Sequence, residues 1–320
     1  MPKFSESSRK LFIGRRGLRA VGKVVRSFKD RRKVRLVFLT TLALLAFAGN
    51  SVLCRLALKG ELLEPQLFTA VRVSSGAAVL MILSIFSGGQ KEVWREGSWK
   101  GSGFLALYMV AFSYAYCGLE TGAGALILFG AVQVTMVAWA MRRGERLSAR
   151  QWVGLLVAMG GLVWLLAPGG GASELWAGGV MTLAGFAWGG YTLCGKDAAH
   201  PLRETSGNFV KIIPVVLLLV VVGGEGESWS VQGLILAVIS GVVTSAIGYA
   251  IWYEALQTLS ATRAAVLQLL VPVLASIGGL VFGSEILKLS LVISSLLVLG
   301  GVSLVLMGKS RKNSVSCDSL

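Results

Sequence analysis

Residues 122–166 read GAGALILFGAVQVTMVAWAMRRGERLSARQWVGLLVAMGGLVWLL, and residues 262–306 read TRAAVLQLLVPVLASIGGLVFGSEILKLSLVISSLLVLGGVSLVL. Each is an apolar run, a glycine with a glutamate close behind it (Gly144-Glu145; Gly283 with Glu285), and a second apolar run closing on a glycine pair (Gly160-Gly161; Gly300-Gly301). The two glutamates lie 140 positions apart, and so do the two glycine pairs. A constant offset over such a length marks an internal duplication, and a period far above about 50 residues excludes a solenoid. Upstream the echo continues: Phe47-Ala48-Gly49 through Cys54 resembles Phe186-Ala187-Trp188 through Cys194, and Leu119-Glu120-Thr121 resembles Leu256-Gln257-Thr258. The chain therefore divides into a tail (1–35), a first repeat (36–167), a second repeat (176–307) and a short C-terminal tail (308–320).

Mean hydropathy is +0.72, with 54% of residues hydrophobic and 15% charged, where a soluble domain carries about a quarter charged residues. That balance belongs to a polytopic membrane protein. An apolar helix needs about 20 residues to cross a bilayer. Ten such runs stand between charged or glycine/proline breaks, near 36–56, 66–86, 102–118, 122–140, 151–167, 176–195, 206–223, 231–253, 263–282 and 287–307. The expected fold is all-α, with ten transmembrane helices packed closely through small side chains, since the chain holds 41 glycines.

Charge sets the expected orientation. Residues 1–35 hold 13 of the 31 Lys and Arg, against only Glu6 and Asp30. Leu11, Leu18, Val21, Val25 and Phe28 would form an apolar stripe among those arginines, the pattern of an amphipathic helix on anionic lipid. A positive-inside anchor and an organelle transit peptide are the alternative readings of the tail. With the tail cytoplasmic, Arg142, Arg143, Arg146, Arg150, Lys309, Arg311 and Lys312 fall inside, while Arg55, Lys59 and Lys288 fall outside. Both termini are then cytoplasmic, and the expected location is the bacterial inner membrane, with an organelle membrane as the alternative. Five spans per half force the second half to be inverted relative to the first, which is a transporter architecture.

The four cysteines (Cys54, Cys117, Cys194, Cys317) show no CxxC spacing, and three fall in expected spans, as reduced structural thiols do. His200, beside Pro201, is the single histidine and cannot assemble a zinc site. No GxxxxGK[ST] loop occurs, so nucleotide hydrolysis is excluded. Neither metal nor organic cofactor is expected, and the basic charge is assigned to membrane lipid rather than nucleic acid.

The order of motifs resembles the EamA-type transporters of the drug/metabolite transporter superfamily: FAGNSVLCRLAL (47–58), FTAVRVSSGAAVL (68–80), GERLSARQWVGLLVAMGGLVWLL (144–166) and GYAIWYEALQTLSATRAAVLQLLVPVLASIGGLVFGSE (248–285). The resemblance spans both halves. It implies ten helices in a basket around a central cavity and, for many members, export of amino acids or related metabolites. Two features depart from the family pattern. Val132 stands where the fourth helix usually has proline, present here as Pro272 in the ninth, and the basic tail is long.

Ionisable groups inside a bilayer are costly and point to function. Arg72 follows Pro65 by seven residues in the second span, and Lys211 falls at the matching place in the seventh. Two readings stand for this pair: attraction of a substrate carboxylate, or snorkelling to the nearer interface. Glu254 and Arg263 are expected to form a loop ion pair. Within the spans, Asn50, Ser51, Tyr108, Gln133, Trp188, Tyr191, Thr244, Tyr249, Trp252 and Gln268 are polar or aromatic candidates for lining a solute site, packing being the alternative for each. Trp94, Trp99, Trp152, Trp176 and Trp229 sit at span ends, as belt tryptophans do. The leading expectation is a secondary exporter of amino acids or similar small solutes. A membrane-embedded enzyme on lipid-like substrates is the alternative, and it lacks the clustered Asp, Glu, His or Ser/Lys pair it would need.

Overall fold

In hydrocarbon each backbone N–H and C=O must find a partner within the chain, so runs as apolar as these fold as helices. A computed structural model describes residues 15–88, 95–143, 145–166, 172–196, 198–223, 228–259, 264, 267–307 and 311–312. Ten helices lie among them: α1 Arg15–Lys59, α2 Pro65–Phe86, α3 Trp99–Gly118, α4 Thr121–Arg142, α5 Ala149–Leu166, α6 Ala172–Lys196, α7 Pro201–Val222, α8 Val231–Leu256, α9 Leu270–Phe282 and α10 Leu289–Met307. The chain is a multi-pass membrane protein. Five of these helices (α1 from Lys33, α2, α4, α7 and α8) are long and apolar enough to span a bilayer by length and composition. Serine, tyrosine and glycine dilute α3 and α6, and the described part of α9 is only 13 residues.

Local chemistry sets the helix starts. Pro65 and Pro201 open α2 and α7, where a missing N–H costs nothing. Ser98 and Ser230 cap α3 and α8, their hydroxyls accepting from the Gly101 and Gly233 amides at 2.9 and 3.0 Å. Two features differ from expectation. First, α1 is described from Arg15, so the tail from that residue and the first span form one continuous helix. Second, the middle of α8, Ser240–Ile247, is π-helical, and such a bulge re-aims the side chains it carries.

α5 packs on α10, α3 on α6 and α7, α2 on α7 and α8, α1 on α8 and α9, and α4 on α6 and α9. Junctions gather at two ends. At one, Leu63 bridges Trp229, and the Ser230 hydroxyl bonds the Leu62 carbonyl at 2.9 Å, joining the α1–α2 and α7–α8 junctions. At the other, Arg203 reaches the Gly88 carbonyl at 3.0 Å and Arg35 pairs with Glu254 at 3.1 Å. A two-residue antiparallel ladder, β1 (Glu145–Arg146) on β2 (Arg311–Lys312), joins the α4–α5 linker to the segment after α10. Glu254 is thus paired with Arg35, which the α1–α8 packing brings alongside; its expected pairing with Arg263 lies outside the described residues.

Candidate functional site

The centre of the bundle, where a cavity is expected, is filled around Arg72. This side chain on α2 is 0% exposed. It does not snorkel. Its Nε donates to Ser245 Oγ at 2.8 Å, and its Nη2 donates to the hydroxyls of Tyr249 at 3.0 Å and Tyr108 at 3.4 Å. Tyr249 in turn donates to Tyr108 at 3.3 Å. The guanidinium carbon lies 5.1 Å from the Phe112 ring centre and 5.6 Å from that of Tyr108, within cation–π range. Among the described residues Nη1 has no hydrogen-bond partner. Among the described residues no carboxylate pairs with Arg72, so the bundle buries a cation whose only polar partners are neutral hydroxyls.

Four helices hold this arrangement. Arg72 comes from α2, Tyr108 and Phe112 from α3, Ser245 and Tyr249 from the π segment of α8 and the turn after it, and Trp188 from α6. Trp188 lies 4.9 Å, ring centre to ring centre, from both Tyr108 and Tyr249. Phe47 on α1 closes the box, with its ring centre 5.5 Å from those of Trp188 and Trp252. Glycine makes room for the approach of α2 to α8, since a Cβ on Gly241 would meet the Ser75 side chain and the Arg72 carbonyl.

The structure brings several sequence-predicted residues together. Asn50 accepts from Ser240 at 2.7 Å and Thr244 at 3.1 Å, on the π segment that also carries Ser245. Trp188 Nε1 donates to Gln268 at 3.1 Å. Tyr191 lies tilted against Trp188, with ring centres 5.8 Å apart, and Ser51 is buried on α1. Two residues lie elsewhere. Gln133 lines a small cavity with Gly130, Leu155 and Val305, at the seam of α4, α5 and α10. Lys211 donates to the carbonyls of Glu96 and Gly97 at 2.6 and 2.7 Å, tying α7 to the α2–α3 linker. The matched pair Arg72 and Lys211 is thus split between interior and rim.

Sequence reasoning missed Phe47, Phe112 and Ser245, which carry no signal beyond belonging to apolar or small-residue runs. It counted Arg55, at the end of the first apolar run (36–56), among the charges on the outer side and named no partner for it. Arg55 is 9% exposed, inside α1. Its Nη1 donates to the carbonyls of Tyr116 and Cys117 at 2.9 and 3.2 Å, and its Nε lies 3.6 Å from Glu285. The Glu285 carboxylate accepts from the Thr121 amide at 2.9 Å and the Thr121 hydroxyl at 2.9 Å. The signal available was that Arg55 falls before the break at Gly60, within an apolar run. His200 is the exposed N-cap residue of α7, and among the described residues no metal-holding cluster of His, Cys, Asp or Glu occurs.

Residues 175–307 match the model of the EamA-like transporter family. Over 277 residues the chain is 44% identical to an uncharacterized protein of Pseudomonas aeruginosa, spanning 87% of this chain and 95% of that relative. A solved crystal structure of a protein 21% identical to this chain matches with a TM-score of 0.61, covering 83% of this chain and 97% of the other. At that identity the likeness speaks for the fold alone.

Proposed function

We propose, because this chain belongs to the EamA-like transporter family, that it is a secondary transporter exporting amino acids or related carboxylate-bearing metabolites across the bacterial inner membrane. Members of the family move small solutes and are not enzymes. The observation that carries the finer reading is Arg72, a fully buried cation with Nη1 unpartnered among the described residues. Burying an ion without a counter-charge costs several kcal/mol, and a solute carboxylate supplies the charge together with bidentate acceptors. Tyr108, Tyr249 and Ser245 hold the guanidinium in place, and Trp188 and Phe47 wall the solute from lipid. The basic N-terminal segment is read as gripping anionic lipid.

Alternating access follows from inverted repeats, and the α5–α10 seam supports that relation. A Cβ on Gly161 would meet Leu297 and the Ser294 carbonyl, and one on Gly301 would meet the Gly154 carbonyl and Ala158. Shifting by 140 residues turns 161 into 301 and 294 into 154, so the two contacts exchange, as they do across a two-fold axis. The self-paired α2 and α7 fit the same axis. Lys and Arg concentrate in the tail and in the α4–α5 linker, which supports placing the termini in the cytoplasm.

The test reconstitutes the protein in liposomes and measures flux of a panel of radiolabelled amino acids. The panel is guided by which toxic analogues overexpressing cells survive and by their intracellular pools. Arg72→Gln should lower flux at least about tenfold with normal insertion, and Arg72→Lys should be milder, because a lysine keeps the charge and loses the bidentate fork. Unchanged affinity and rate in Arg72→Gln would exclude the carboxylate role.

A further inference from the structure

Three separate pieces of chain meet at Arg55 and Glu285. Arg55 is carried by α1, and its Nη1 satisfies the last carbonyls of α3. Glu285 sits in the α9–α10 linker, behind Ser284 at φ 49°, and its carboxylate covers the first amide of α4. Each charge thus complements a helix end, the cation at a C-terminus and the anion at an N-terminus. The two charges then face each other at 3.6 Å with side chains only 11% and 7% exposed. Outside them Lys288 pairs with Glu120 at 3.0 Å, across the same junction. A Cβ on Gly279 would strike the Glu285 carboxylate, so the close approach depends on glycine there.

From this geometry we infer that Arg55 and Glu285 are the latch closing the α3–α4 end of the bundle, and that it opens whenever solute passes that end. The inference rests on the transport reading. A charged closure suits alternation because both states satisfy it. Shut, the charges bind each other and the helix ends; open, water solvates them. An apolar plug would be stable in the shut state alone. The duplication makes the latch one-sided. The position answering Arg55 is Gly195, that answering Lys288 is Ser148, and Glu120 is answered by Gln257, so neither ion pair has a counterpart at the other end. There the α2–α3 linker is held by neutral acceptors instead, with Asn208 accepting from the Ser98 amide at 2.9 Å and Lys211 on two carbonyls.

Two native cysteines report on the two ends. Cys54, adjacent to Arg55, is 0% exposed, and Cys194 is half-buried beside Tyr191 and Asn208. Each is kept alone, the other three cysteines being changed to serine. Alkylation by a membrane-impermeant maleimide is then timed on the full chain in vesicles of each orientation, without any solute. Glu285→Gln and, independently, Arg55→Gln should speed Cys54 labelling by about tenfold, the population shift expected on losing a buried charge partner. They should also slow Cys194 labelling from the opposite side, and the double variant should match the singles because both remove one latch. Faster labelling of both cysteines means general loosening and overturns the proposal, as does no change in either. Thermal unfolding in detergent checks that each variant is folded, and Glu285→Gln suffices if Arg55→Gln is not. Because no solute enters the assay, its failure is distinct from failure of the carboxylate reading.

Discussion

Arg72 and Lys211 occupy matching places in two copies of one sequence, and their surroundings give them different work. Lys211 has a compact ammonium that two backbone carbonyls satisfy at the rim, whereas the planar guanidinium of Arg72 needs acceptors in several directions and finds hydroxyls for only part of it. Lys211→Gln should therefore change flux by less than about twofold, since rim charges are weakly coupled to an interior site. Tyr249→Phe removes the 3.0 Å acceptor of Arg72 and leaves a buried charged donor short. It should cost about 1–3 kcal/mol of stability, read as a lower unfolding temperature in detergent, and should weaken solute affinity as well. A Tyr249→Phe variant as stable as the parent and with unaltered affinity would show that the hydroxyl does not hold Arg72.

At the scale of helices, glycine placement decides which seams are tight. Among the described residues, only the second member of each glycine pair faces a neighbour: Gly161 and Gly301 are crowded, and a Cβ on Gly160 or Gly300 would meet nothing there. Gly161→Ala and Gly301→Ala should each destabilise by about 1–3 kcal/mol through overpacking. Gly160→Ala should be neutral or stabilise by up to about 1 kcal/mol, because alanine is the better helix former. Equal effects at 160 and 161, measured by thermal unfolding, would contradict the seam described here. Gly241→Ala belongs with the crowded class and should also displace Arg72, whose backbone carbonyl lies against it, so its flux should fall beyond what lost stability explains.

For the molecule as a whole, the duplicated linker tests orientation. Arg146→Cys and Lys288→Cys, each in a background without native cysteines, should be labelled from opposite sides of the membrane, with Arg146 on the cytoplasmic side. Labelling of both from one side would remove the inverted-repeat proposal. Since α1 runs unbroken from Arg15 into the first span, deletion of residues 1–30 should lower the amount of inserted protein more than flux per inserted molecule. Equal insertion with abolished flux would instead place the tail in the transport cycle.

By itself the sequence determined the helical, multi-pass membrane class, because composition and short-range periodicity are carried by any window of residues, and its two matching stretches raised the expectation of two repeats. It singled out Arg72, Tyr108, Trp188 and Tyr249 as polar or aromatic residues in apolar runs, yet it matched Arg72 with Lys211 by position alone and named no partner for Arg55. Only the tertiary structure decided those matters. The partners of Arg72 and Arg55 lie far along the chain, 173 residues to Ser245 and 61 to the Tyr116 carbonyl. The partner of Glu254, Arg35, is 219 residues away. Whether a charge ends in the interior, at a helix end or at the rim depends on which helix faces meet, and that is set by glycine-lined seams and the π turn of α8, whose effects appear only once the helices are packed.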